Sequence, residues 1–120
     1  MEATVCDGIS QFQQEYLGRG PKGIRAFLLG DLVVVRMQGA LTAAEQHLVQ
    51  TLAPEKGRDL LKQVRTQLME LARPTLAAMI QDATGLWAIS LHHDISTVTG
   101  EEVILFTLSG VPIVRGSAKE

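Results

Sequence analysis

In the stretch Ser90-Leu91-His92-His93-Asp94-Ile95, an extended backbone would put alternate side chains on one face. Ser90, His92 and Asp94 would then lie together, with Trp87, Ile89, Leu91, His93 and Ile95 on the other face. A carboxylate two residues from an imidazole can orient it as a general base or as a metal ligand. A metal centre needs further ligands, and beyond this pair of neighbours the remaining histidine, His47, belongs to a different segment. A nucleophile would have to be a hydroxyl such as Ser96, Thr97 or Thr99, and none of these sits in a strand-to-helix elbow. The simpler reading makes Asp94 the cap of the following turn, with His92 paired with it or with a neighbouring strand. No residue is therefore assigned a catalytic or metal-binding role, and nothing in the pattern calls for a cofactor.

A second constellation is Gly18-Arg19-Gly20-Pro21-Lys22-Gly23, whose glycines follow the G-x-G-x-x-G spacing of dinucleotide sites. That chemistry needs a strand running in and a helix starting at the turn, because the helix N-terminus receives the pyrophosphate. Here the flanking residues predict the reverse order, a helix ending at Gly18 and a strand beginning after Gly23. A helix cap followed by a proline-directed turn explains the glycines. The alternative use left to this segment is a small-anion or nucleotide site built from Arg19, Lys22 and nearby Arg25 with exposed backbone N–H groups.

The elements that must position these side chains follow from periodicity. Ile9, Phe12, Tyr16 and Leu17 recur at helical spacing, and Ser10 with Gln13 forms a capping-box pattern before Gly18 stops the helix. Two runs rich in branched residues then flank Gly30-Asp31, which suits a type II′ hairpin between strands ending near Gln38. Thr42 with Glu45 predicts the start of a short helix, and Pro54 is well placed to open a longer one. That helix carries Leu60, Leu61, Val64, Leu68, Leu71, Ala72, Leu76, Met79, Ile80 and Ala83 up to Gly85, and Pro74 is expected to kink or divide it. Its charged residues, Arg58, Asp59, Lys62, Arg65 and Glu70, are expected to form a solvated face. Two more strands, Leu86 to Ile95 and Glu102 to Leu108, complete the order helix, hairpin, two helices, hairpin.

This order predicts an α+β two-layer sandwich, with an antiparallel four-stranded sheet and the helices on one face. Residues 1–111 form one domain and 112–120 are expected to be a flexible tail. The strands are apolar on both sides, unlike a sheet with one face in water. Leu32 and Val34, with Ile104, Phe106 and Leu108, are expected to face away from the helices, opposite Val33, Val35, Val103 and Leu105. A second copy of the chain is the simplest cover for that face, so a homodimer is expected, through the sheet face or a sheet edge.

A formal net charge of -2 argues against a general nucleic-acid partner and against a polybasic membrane anchor. Cys6 is the single cysteine, so no internal disulfide can form, which suits a reducing cytoplasm. With no basic neighbour in sequence, Cys6 is also a poor nucleophile. No apolar run reaches the roughly 18 residues that span a bilayer, so direct membrane insertion is not expected.

Taken together, Tyr16, the Gly-Arg-Gly-Pro turn, the L-T-x-x-E-x-x-L pattern from Leu41, the Arg73-Pro74 pair and D-I-S-T-x-T-G-E from Asp94 resemble the MpsC-like proteins. The resemblance runs over about residues 9 to 109. The family, long catalogued as a domain of unknown function, takes its name from a component linked to a bacterial cation-translocating, membrane-potential-generating system that is also associated with inorganic-carbon supply. The resemblance implies a small bacterial protein accessory to a membrane complex through a protein partner. It implies no catalytic residues. The expected function is thus a non-catalytic interaction or regulatory module. The alternatives are the anion or nucleotide module at the Gly18-to-Gly23 turn and a metal-dependent hydrolase around His92 and Asp94.

Overall fold

The structure, a computed structural model, describes residues 1–112, so the expected tail falls outside the described residues from position 113 on. Along the chain come α1 (Glu2–Leu17), β1 (Gly23–Leu29), β2 (Leu32–Gln38), α2 (Ala43–Thr51), α3 (Pro54–Thr84), β3 (Ala88–Ile95) and β4 (Glu102–Leu108). The four strands form one antiparallel sheet in the order β1-β2-β4-β3, and the helices cover one face of it. This is the expected two-layer α+β architecture.

Local chemistry explains the boundaries. In α1, Val5, Ile9 and Phe12 are buried at helical spacing, so the helix begins well before Ser10, which lies in its interior. It ends at Gly18 in the left-handed conformation, φ 82°, with the cap N–H returned to the Gln14 carbonyl. Of the two hairpin residues only Gly30 has positive φ, at 63°, as a type II′ turn requires. The Thr42 hydroxyl accepts from the Glu45 N–H while the Glu45 carboxylate accepts from the Thr42 N–H, a complete capping box for α2. Helix α3 runs through Pro74 as one element rather than dividing there; Pro74 is exposed, so the carbonyl it leaves without a helical donor belongs to the solvent side.

The strand registers fix the two faces. Val35 pairs with Ile104 and Val33 with Phe106, and all four are at most 3% exposed beneath the helices. Ile104, Phe106 and Leu108 are therefore core residues, correcting the expectation that they share the outer face with Leu32 and Val34. Each strand alternates as expected, but the phase of β4 relative to β2 is set by pairing, which alternation within one strand does not specify. The outer face carries Phe27 and Leu29 from β1, Leu32 and Val34 from β2, and Val103 and Leu105 from β4. In β3, a bulge between Ala88 and Ser90 breaks the alternation, leaving Ile89 exposed while Leu91 packs against the core.

Gly18 and Gly20 separate in their backbone demands. Gly20 has no positive φ, and a Cβ there would meet the Ser10 carbonyl at an ordinary 3.8 Å. Gly18→Ala is expected to cost about 1 kcal/mol from the left-handed conformation alone, and Gly20→Ala well under half of that. Urea denaturation of the two variants measures the difference.

Candidate functional site

The most elaborate polar arrangement in the fold is buried between the helices and the sheet, around Arg65. On α3 the buried row reads Leu61, Arg65, Met69, Ala72, Leu76, Ile80, so a guanidinium occupies a core position. Arg65 is 1% exposed, correcting the expectation of a solvated charge. Its Nε and Nη2 donate to the two oxygens of Glu45 at 2.7 Å each, its Nη1 donates to Glu102 at 3.1 and 3.2 Å, and Nη2 also donates to the Ala40 carbonyl at 2.8 Å. A planar fork with five donors makes all five of these bonds at once, whereas an ammonium has only three donors to give.

Glu102 gathers two further donors. The Gln13 amide of α1 donates to Oε1 at 2.7 Å, and His93 Nε2 meets Oε2 at 2.5 Å. One carboxylate thus joins α1, α3, β3 and β4, and through Arg65 also α2 and the segment after β2. Gln13 Oε1 is buried without a hydrogen-bond partner among the described residues, a local cost of about 1–3 kcal/mol. Burial alone would push the Glu45 carboxyl up, but the hydrogen bonds from Arg65 and from the Thr42 N–H outweigh it and hold Glu45 below the usual carboxylate range. Burial likewise opposes the charge on Arg65, and the hydrogen bonds to Glu45 and the charge of Glu102 more than restore it. All five donors of Arg65 and both oxygens of each carboxylate are engaged within the cluster, which ties the elements that carry them together.

The residues singled out by sequence are dispersed. Arg19 donates to the Gly20, Leu41 and Gly39 carbonyls at 3.0–3.2 Å, so its guanidinium staples the turn to the segment after β2 rather than facing an anion. The Lys22 side chain lies against Gly39, where any Cβ would sit 2.7 Å from it. Arg25 is exposed on the outer sheet face, across β2 from any residue of β4. His92 and Asp94 share the outer face as expected, yet no hydrogen bond joins them among the described residues. Asp94 instead accepts from Lys62 Nζ at 2.5 Å and from the Ile95 N–H at 2.8 Å. Lys62 is the first cause that keeps the Asp94 carboxyl below its ordinary value. The histidine that enters a network is His93, on the other face.

Two surface features complete the site. A cleft of about 320 Å³ at the β3–β4 end is lined by Arg58, Lys62, Asp94, Ser96 and Glu101 among others. A larger apolar groove of about 580 Å³ runs between the end of α1 and the middle of α3, bounded by Tyr16, Leu17, Leu60, Val64, Leu68 and Leu71. Among the described residues, no group of three or more His, Cys, Asp or Glu side chains is placed to hold a metal ion, and no helix is long and apolar enough to cross a membrane. Cys6 on α1 has its thiol pushed up by burial and then by nearby Asp7, which keeps it protonated.

The family model described as "Na+-translocating membrane potential-generating system (MpsC)" matches residues 1–110. The chain is also similar to the uncharacterized protein YbcI of Bacillus subtilis (strain 168), with 33% identity over 108 residues, 90% of this chain and 85% of the relative. No solved structure matches it.

Replacing Arg65 by Met keeps much of the volume but leaves Glu45 and Glu102 buried without their cation. Arg65→Met is expected to cost about 3–5 kcal/mol at neutral pH. Because Glu45 is held below its unfolded value of about 4.3, its contribution is present above that pH and is lost as pH falls through the lower folded value. In the variant the orphaned carboxylates take up protons more readily, so the gap from wild type should narrow towards pH 4. Denaturation curves at the two pH values check both statements.

Proposed function

The chain belongs to the MpsC family, and on that premise we propose that it is a small non-catalytic interaction or regulatory module, cytoplasmic and homodimeric, accessory to a bacterial cation-translocating or inorganic-carbon uptake membrane system. The observation that carries this reading is the outer sheet face. Phe27 is 36% and Leu29 61% exposed there, beside partly exposed Leu32, Val34, Val103 and Leu105, in a chain whose helices lie on the opposite face. A contiguous apolar patch of this kind is the mark of an interaction surface.

The polar chemistry supports the same reading. The buried charges are spent on one another, Arg19 is bound to backbone carbonyls, and His92 and Asp94 are not hydrogen-bonded to each other. The groove with Leu60, Val64 and Leu71, the last 79% exposed, offers a second apolar surface to a protein of the membrane system.

Affinity capture from a native bacterial extract, with and without detergent-solubilised membranes, tests the accessory role. Subunits of a cation-translocating system should co-purify only when solubilised membranes are present, and Leu71→Asp should reduce their recovery while leaving the fold intact. Absence of membrane subunits in both captures contradicts the accessory role. Stoichiometric metal in the purified chain, or turnover abolished by His92→Ala, contradicts the non-catalytic role.

A further inference from the structure

The outer sheet face is apolar at its centre and charged along one rim, and the order of the charges is informative. Register places Arg25 of β1 beside Arg36 of β2, Arg36 beside Val103 of β4, and Val103 beside Asp94 of β3. Glu101, immediately before β4, accepts from Arg36 at 2.5 and 2.9 Å. Across the four strands this rim therefore reads positive, positive, negative, negative.

Within one chain that order is unfavourable at its positive end. Like charges directly opposite on neighbouring strands repel. Arg36 is neutralised by Glu101, whereas Arg25 has no ion-pair partner among the described residues. At the other end Asp94 is exposed, and Lys62 reaches it from α3 around the sheet edge. Its Oδ1 accepts from both Lys62 and the Ile95 N–H, leaving Oδ2 without a described partner. Arg58 lines the same cleft and pairs with Asp59.

We propose that the outer face is covered by a second copy related by a two-fold axis parallel to the strands, so that β1 lies over the partner's β3 and β2 over the partner's β4. This rests on the homodimeric reading above and specifies its surface and geometry. The axis reverses the rim, so each positive group meets a negative one: Arg25 faces Asp94 of the partner subunit, and the Arg36–Glu101 pair lies over its own inverted copy. Phe27 lies over His92 of the partner subunit, and Val34 over Leu105 of the partner subunit.

The other two-fold packings of the same face are worse. An axis across the strands sets Arg25 over Leu29 of the partner subunit and Asp94 over Ser90 of the partner subunit, so Arg25 meets no opposite charge and Asp94 keeps only its own Lys62. The two diagonal axes, which would cross the sheets at right angles, place Arg25 against its own copy in one case and Asp94 against its own copy in the other. Like charges in an interface select against such partners. The strand-parallel axis also matches the near-aligned arrangement that twisted sheets adopt when stacked face to face.

The test uses two single charge reversals in the full chain, Arg25→Asp and Asp94→Arg, checked for fold by circular dichroism and followed by analytical ultracentrifugation. The two positions lie on opposite edge strands, about 14 Å apart, so neither variant repairs the other within a chain. Each variant alone sets like charges together twice per dimer and should weaken self-association at least about ten-fold. Mixed in equal amounts, the two should form a heterodimer of wild-type affinity, because both of its contacts are again between opposite charges. A wild-type dimer whose single variants stay dimeric, or whose variants dissociate without recovering on mixing, overturns this geometry and leaves a dimer through another surface. A wild-type chain that stays monomeric at high concentration removes the homodimer itself and this geometry with it.

Discussion

A single buried guanidinium, Arg65, sets the terms for the rest of this fold. It forks onto Glu45 through Nε and Nη2, meets both oxygens of Glu102 through Nη1 and takes the Ala40 carbonyl as well, while Glu102 in turn receives Gln13 and His93. The helical layer is thereby fastened to the sheet by charge-assisted hydrogen bonds at the end where α2 and the start of α3 would otherwise have little sheet to pack on. Beyond it, Val5, Ile9, Met69, Leu76, Val35 and Phe106 form the apolar core on the same side of the sheet. A buried ion cluster is weak evidence for stability, since well-packed apolar residues can replace one without loss. What it does supply is direction: a sheet register or helix phase that displaced Glu102 would bury unpaired charge, so the cluster selects one arrangement of layers.

That selection has a functional consequence. Because the polar network and the core both lie on the helix side, the other sheet face carries apolar side chains and a charged rim, and among the described residues no element covers it. The charges that sequence marks as candidates for chemistry are distributed accordingly. Arg19 closes a turn, Lys22 packs on Gly39, and Arg25, Asp94 and His92 belong to the outer face. The proposed interaction role rests on that distribution, in a chain of the family described as a Na+-translocating membrane potential-generating system.

Much of the architecture was legible in local chemistry. Gly18, Gly30, the Thr42–Glu45 box and Gly85 mark boundaries through requirements that act within a few residues, and they mark them correctly. The phase of each element was less accessible. In α3, Leu60, Val64 and Leu71 share helical spacing with the core yet face outward, while Arg65 faces inward, because neighbouring rows on a helix are both compatible with a spacing of three or four. The available signal was the charge itself, standing in the register of Leu61, Met69, Leu76 and Ile80. Glu102 gave the same sign, alternating with Ile104, Phe106 and Leu108. Which face of β4 joins which face of β2 depends on long-range pairing, and no local rule specifies it.

The central claim is that the outer sheet face is covered by protein in solution while the α1–α3 groove of the isolated chain stays open. Leu29 and Leu71 provide a matched pair of the same residue type on the two surfaces, 61% and 79% exposed in the single chain. Hydroxyl-radical footprinting across a dilution series measures both at once. The account predicts that Leu29 and Phe27 lose reactivity as concentration rises while Leu71 does not. Leu29 and Phe27 reacting at a constant rate at every concentration, or Leu71 becoming protected in their place, would contradict it.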